Sequence, residues 1–174
     1  MSKEKLNTLI EEFPLLFANQ KHRFYFRCQD GWYNIIRSAL ALMNHHLGRY
    51  REVEEIRDGI KADGEEIPEW IPNYFEENLE DPLNTFVINC VKEKFGGLRI
   101  YWTCPVYPFR SRGWEFCCGI TSMAESLSFV TCEECGSPGE KRIIAGRVLQ
   151  TLCTYHFEGA QMDTALTNIE EGIE

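Results

Sequence analysis

The strongest constraint on how this chain can fold is a pair of ligand motifs near its end, Cys132-Glu-Glu-Cys135-Gly136 and Cys153-Thr-Tyr-His156. Each motif spaces two metal-competent side chains by two residues, and 17 residues separate Cys135 from Cys153. Three thiols and one imidazole make the donor set of a tetrahedral structural Zn2+ site. A two-residue gap lets a tight knuckle aim both side chains at one ion, and Gly136 can take the positive φ required after the second ligand. Between the motifs, Lys141 to Ile144 and Arg147 to Leu152 flank Ala145-Gly146, the pattern of a two-stranded hairpin that returns the second knuckle to the first. The layout is a zinc ribbon with ligands Cys132, Cys135, Cys153 and His156. The competing reading is three unrelated buried thiols beside a surface histidine.

Composition sets the rest of the frame. A hydrophobic share of 44% and an aromatic share of 13% can fill a core in a chain of 174 residues. We expect an α+β fold in which helices pack on a small antiparallel β-hairpin or sheet, with the zinc ribbon at the C-terminal end. The organisation that follows is a body over 1–130 carrying an acidic excursion at 52–82, a ribbon lobe over 131–157 and an acidic tail over 158–174. No apolar run approaches the roughly 18 residues of a membrane helix. Glu11, Glu12 and Pro14 interrupt the first apolar stretch, so it resembles no export signal and the expected location is a reducing cytoplasm. There, eight cysteines do not imply disulfides. Cys28, Cys90, Cys104, Cys117 and Cys118 read as small core residues, and the adjacent pair Cys117-Cys118 lacks a knuckle spacing.

Net charge is −9, unevenly spread. Residues 52–82 hold twelve acidic residues against two basic ones, and the tail holds five acidic and no basic residues. The remaining body is slightly basic. Such a chain is a poor non-specific duplex binder as a whole, yet a local basic patch or a basic partner for the acidic segment stays open.

Apolar residues at spacings of three and four predict a helix from Lys3 that Pro14 ends or bends. Asp30 reads as the N-cap of a second helix whose face is Trp32, Ile35, Ile36, Ala39, Leu40, Met43 and Leu47, with Gly48 as its stop. Residues 52–82 read as an excursion with a short helix at Asn73 to Leu79, in which Trp70, Tyr74 and Phe75 are candidate partner-binding anchors. Thr85 to Val91 and Leu98 to Thr103 read as strands of a hairpin turning through Gly96-Gly97. A third helix, Trp114 to Phe129, is expected to bury Ile120, Met123, Ala124, Leu127 and Phe116.

Catalytic signatures are missing: the chain has no phosphate loop, no Gly-x-Ser-x-Gly and no His-Glu-x-x-His. Four protein ligands close a zinc site to substrate, and His22, His45 and His46 have no neighbouring nucleophile or acid pattern. The residues therefore select no reaction. Lys92, Lys94 and Arg99 cluster about Phe95 and could offer an anion-binding face, against the plainer reading of a charged, solvated hairpin.

Lys92-Glu-Lys-Phe-Gly-Gly-Leu-Arg-Ile-Tyr101, Asp30-Gly-Trp-Tyr33, and Thr131 to Gly139 with Leu152-Cys-Thr-Tyr-His156 together resemble a widespread set of small phage and prophage proteins of unknown function. The resemblance implies a phage accessory protein working in a bacterial host cytosol and binding host or viral components. Three readings follow, the third being an uncommon enzyme that no residue pattern selects. In the first, a non-enzymatic zinc protein docks a host macromolecule, such as a defence or regulatory protein, through Trp70, Tyr74 and Phe75. In the second, it binds nucleic acid or nucleotide through Lys92, Lys94 and Arg99 with ribbon residues Lys141, Arg142 and Arg147.

Overall fold

The computed structural model describes residues 1–19, 25–77, 80–107, 110–146 and 148–171. His22, Arg147 and the Leu79 end of the expected short helix lie outside the described residues. The fold is mixed α+β with a Cys/His cluster near its C-terminal end, as the sequence pattern indicates. Among the described residues no helix is long and apolar enough to cross a membrane.

Helix α1 (Lys3–Glu12) is capped by the Ser2 hydroxyl, and Pro14 opens the short α2 (Pro14–Phe17) at a first-turn position where its missing N–H costs nothing. Strand β1 (Tyr25–Arg27) follows, then a 3-10 turn at Asp30–Trp32 and the long helix α3 (Tyr33–Ala62). The Asp30 carboxylate does not cap α3. It accepts the Ser2 N–H and faces Lys5 at 3.6 Å, which ties the start of α1 to the start of α3 and holds the Asp30 pKa down.

The expected face of α3 is realised: Trp32, Ile36, Ala39, Leu40, Met43 and Leu47 are buried and Ile35 is half-buried. Gly48 is not the stop. A helical glycine costs about 1 kcal/mol relative to alanine but breaks no hydrogen bond, and strong helix formers beyond it carry the helix through buried Val53 to Ala62. The stop is at Gly64 (φ 71°): the Gly64 N–H donates to Lys61 and the Glu65 N–H to Ile60, a paired C-terminal cap. The first third of the expected acidic excursion is therefore helix. The second half contains α4 (Trp70–Glu77), which starts three residues before the expected position because Ile71 is fully buried and anchors it.

The sheet orders β1-β2-β3, with β2 (Val87–Lys94) parallel to β1 and antiparallel to β3 (Gly97–Thr103). Strand β1 had not been expected. The glycine pair is not the turn either. Phe95 (φ 57°) and Gly96 (φ 74°) form the two left-handed corners of a tight hairpin, and Gly97 is the first residue of β3, paired with Lys94. Gly97 lacks a side chain for another reason: a Cβ there would lie 2.3 Å from a Phe129 ring carbon.

Helix α5 (Arg112–Ser128) is capped by the Ser111 side chain. It buries Gly113, Cys117, Ile120, Ala124 and Ser128, whereas Phe116, Met123 and Leu127, expected inside, are exposed. Small residues let α5 approach α3 closely, so size rather than hydrophobicity chose the buried face. Strands β4 (Glu140–Ile144) and β5 (Val148–Leu152) make the C-terminal hairpin, and α6 (Thr154–Glu171) follows. The main core joins α1, α2, α3, α5 and the inner sheet face, while Cys132, Ile144 and Leu152 form a small second cluster under the ribbon.

Candidate metal centre and a basic sheet face

The first knuckle leaves α5 directly. Its backbone closes on itself as the Cys132 N–H donates to Ser137 and the Gly136 N–H donates to Cys132, with Gly136 at φ 80° as the spacing requires. The second knuckle runs from the end of β5 into α6, so Cys153 precedes the helix and His156 lies in its first turn. The four donor atoms of Cys132, Cys135, Cys153 and His156 all lie within 4.8 Å of one another. His156 Nδ1 is 3.2 Å from Cys153 Sγ and 3.6 Å from Cys132 Sγ, and Cys135 Sγ is 3.9 Å from Cys153 Sγ. A tetrahedral ion with bonds near ~2.0–2.3 Å separates its donors by about 3.5–3.8 Å. The four donors lie close enough together to hold one metal ion.

Local electrostatics favour the thiolate at two of the three ligand cysteines, while burial raises the third, Cys132. The Ser137 hydroxyl and N–H pull the Cys135 thiol down to about 6, and the His156 N–H lowers Cys153. Burial pushes Cys28 and Cys117 up to about 12, which keeps them as inert core thiols. All eight cysteines are free.

The knuckle is fastened to the body through the block Gln29 to Trp32. The Gly31 N–H donates to the Glu133 carbonyl at 2.7 Å, the Trp32 indole N–H to Thr131 at 2.8 Å, and the Gln29 N–H to the Glu133 carboxylate at 3.2 Å. The ribbon also grips the β2–β3 turn, where the Thr151 hydroxyl donates to the Gly96 carbonyl at 2.6 Å. The sequence marked Asp30-Gly-Trp-Tyr33 as a block without saying that it is the seat of the knuckle.

Glu133 is 3% exposed, and its second oxygen has no partner among the described residues. Burial pushes its pKa up to about 7, against the Gln29 N–H, which pulls it down. The folded state thus favours the protonated form, and that contribution is lost as pH rises from the ordinary glutamate range toward about 7. Glu133→Gln in the metal-loaded protein should therefore exceed wild type in stability by about 1–2 kcal/mol near pH ~8, the gap closing below about pH 5. Denaturant midpoints of both proteins across that range check it; a gap that widens in acid would contradict the sign.

The three aromatic anchors expected at the acidic segment do not share one open face. Trp70 is 50% exposed, but Tyr74 and Phe75 are half-buried and pack on Tyr50 of α3, with the Arg57 guanidinium 4.8 Å above the Phe75 ring. The two expected hairpin lysines do share a face with Arg99, as the strand period requires. Arg99 is engaged by Glu125 of α5 at 2.7 Å. Lys92 and Lys94 have no carboxylate partner among the described residues. Of the ribbon cations, Arg142 pairs with Glu140, and Lys141 sits 3.7 Å over the Phe129 ring.

Register adds residues that sequence reasoning missed. Arg27 pairs with Lys92 and Lys92 with Arg99, so three cations form one row across the outer sheet face. The next row is Tyr25, Cys90 and Tyr101. Among the described residues of the three strands, no carboxylate lies on that face. The available signal was the aromatic run before Cys28, whose alternation places Tyr25 and Arg27 on one side of a strand, and Tyr101 two residues beyond Arg99. No protein-family model, curated protein or solved structure matches the chain.

Proposed function

We propose that this chain is a non-catalytic binding protein, stapled by Zn2+, that holds a nucleic acid by its phosphates across the outer face of the three-stranded sheet. Zn2+ is the ion best suited to three thiolates and one imidazole in a closed tetrahedron. The observation that carries the nucleic-acid reading is the cross-strand row Arg27, Lys92 and Arg99, extended by Lys94, in a chain of net charge −9. Evenly scattered cations would be cancelled by such an acidic background. Here most of the acidity is collected in residues 52–82 and the tail, and although Glu125 engages Arg99, Arg27, Lys92 and Lys94 remain on one face where counterion release can drive binding. The resemblance of the sequence blocks to phage and prophage proteins supports a ligand among the nucleic acids of a bacterial cytosol.

The test is anisotropy of a labelled oligonucleotide with the metal-loaded protein between about 50 and 200 mM salt. Affinity should fall steeply with salt, and Lys92→Gln and Lys94→Gln should each reduce the salt slope by about 1. Absence of binding at the lowest salt, or slopes unmoved by both changes, would sink the reading. A host-protein partner is the second reading, favoured by exposed Trp70 on α4. Its mark would be capture of a protein that survives nuclease treatment and is lost in Trp70→Ala.

A further inference from the structure

We infer that the nucleic acid held on this face is single-stranded, with bases stacked on Tyr25, Tyr101 and Phe95; this rests on the nucleic-acid reading above. Three large aromatic side chains stand exposed around the cation row: Tyr25 at 44%, Tyr101 at 39% and Phe95 at 67%. Tyr25 and Tyr101 belong to one cross-strand row with the small Cys90 between them. Two strand spacings set them about 10 Å apart, with nothing tall between the rings.

Each ring has a cation over it. The Arg27 guanidinium is 5.1 Å from the Tyr25 ring, Lys92 Nζ 5.0 Å from Tyr101, and Lys94 Nζ 5.2 Å from Phe95. A stacking surface and a phosphate contact thus recur together three times. That pairing suits a strand whose bases are turned out and whose backbone runs alongside. A duplex keeps its bases stacked on one another and could use only the cations, leaving the rings in water.

Phe95 supplies an independent argument. It occupies a left-handed corner (φ 57°) that glycine, asparagine or aspartate fills at lower cost, by roughly 1–2 kcal/mol for an ordinary side chain. Its ring is also left largely in solvent, with the Lys94 side chain over it, so little packing offsets the strain. An apolar ring held out on a strained turn, at the edge of a cationic face, is what a base-stacking contact requires.

The experiment compares one labelled sequence as single strand and as duplex, in both DNA and RNA, binding to metal-loaded wild type and variants. Single strands should bind at least about tenfold tighter than duplex. Tyr25→Ala, Tyr101→Ala and Phe95→Ala should each weaken single-strand binding by about 5- to 100-fold, while Tyr101→Phe and Tyr25→Phe retain it. Unchanged metal content and melting temperature in each variant show that the fold is intact. Phe95→Gly should lose affinity while folding at least as well as wild type, since it relieves the corner. Equal binding of duplex and single strand, with the aromatic changes silent but Lys92→Gln still lowering the salt slope, would overturn single-strand stacking and leave the phosphate-binding face standing. No binding of either form would overturn both, as would retention of a protein partner alone.

Discussion

Stripping the metal should unfold the C-terminal hairpin and its two knuckles. Among the described residues, the apolar cluster beneath that segment holds three buried residues, Cys132, Ile144 and Leu152, with Cys153, Phe157 and Ala160 packed at the side. So small a cluster cannot offset the entropy of ordering two strands and two knuckles. Structural zinc in comparable small units supplies on the order of 10–16 kcal/mol, which exceeds what the rest of this segment can provide. A chelator strong enough to remove the ion should therefore abolish the β4–β5 signal in circular dichroism and expose Cys132, Cys135 and Cys153 to alkylation. Cys132→Ser should reproduce the effect without chelator. Cys135 is exposed to solvent and its thiol is pulled down to about 6, so without an ion it would react quickly at neutral pH. Protection of that thiol before chelation, and its loss afterwards, is the sharpest readout. Rapid alkylation of Cys135 in untreated protein, or no stoichiometric metal by elemental analysis, would defeat the metal reading.

How much of this was legible in the residues depends on how locally each feature is determined. The knuckles were, because two ligands spaced by two residues and a following glycine specify both geometry and chemistry within five positions. So were the break at Pro14 and the buried stripe from Trp32 to Leu47, where period and residue type agree. Features set by a distant neighbour were not. Gly97 looked like half of a turn, and its actual constraint is the ring of Phe129, far along the chain. The buried face of α5 was misassigned because both sides of that helix carry apolar residues, and close approach to α3 selected the smaller ones. Gly48 carried the right residue type for a helix end but no αL corner; Gly64 had both.

The binding face shows the same division. Lys92, Lys94 and Arg99 could be placed together from the hairpin period alone. Arg27 and Tyr25 join them only through parallel pairing with β1, a long-range contact that no local pattern announces. Conversely, Tyr74 and Phe75 looked like free anchors because their aromatic partner Tyr50 on α3 lies more than twenty residues earlier. Pairing across sequence distance thus strengthened one candidate surface and depleted the other.

Gly31→Ala should separate the knuckle from the body while leaving the metal in place. A Cβ at position 31 would lie 2.2 Å from the Cys132 carbonyl oxygen and 2.5 Å from both the Glu133 carbonyl oxygen and the Gly136 nitrogen. All three are backbone atoms of the knuckle, so no side-chain rotation can relieve the clash. The knuckle must move, and with it go the Gly31 and Trp32 hydrogen bonds to Glu133 and Thr131. Overpacking with loss of buried hydrogen bonds puts the expected destabilisation at about 3–5 kcal/mol. The four ligands all lie in the C-terminal segment, so stoichiometric metal should remain. Trp32, fully buried in wild type, should gain solvent access and shift its fluorescence to the red. Gly48→Ala is the matched control: nothing lies within 4 Å of its Cβ position, and a helical alanine should stabilise α3 by about 0.5–1 kcal/mol. If Gly31→Ala unfolds within 1 kcal/mol of wild type by the order-of-magnitude scale of surface substitutions, the Asp30-Gly-Trp-Tyr33 block is not the seat of the metal knuckle.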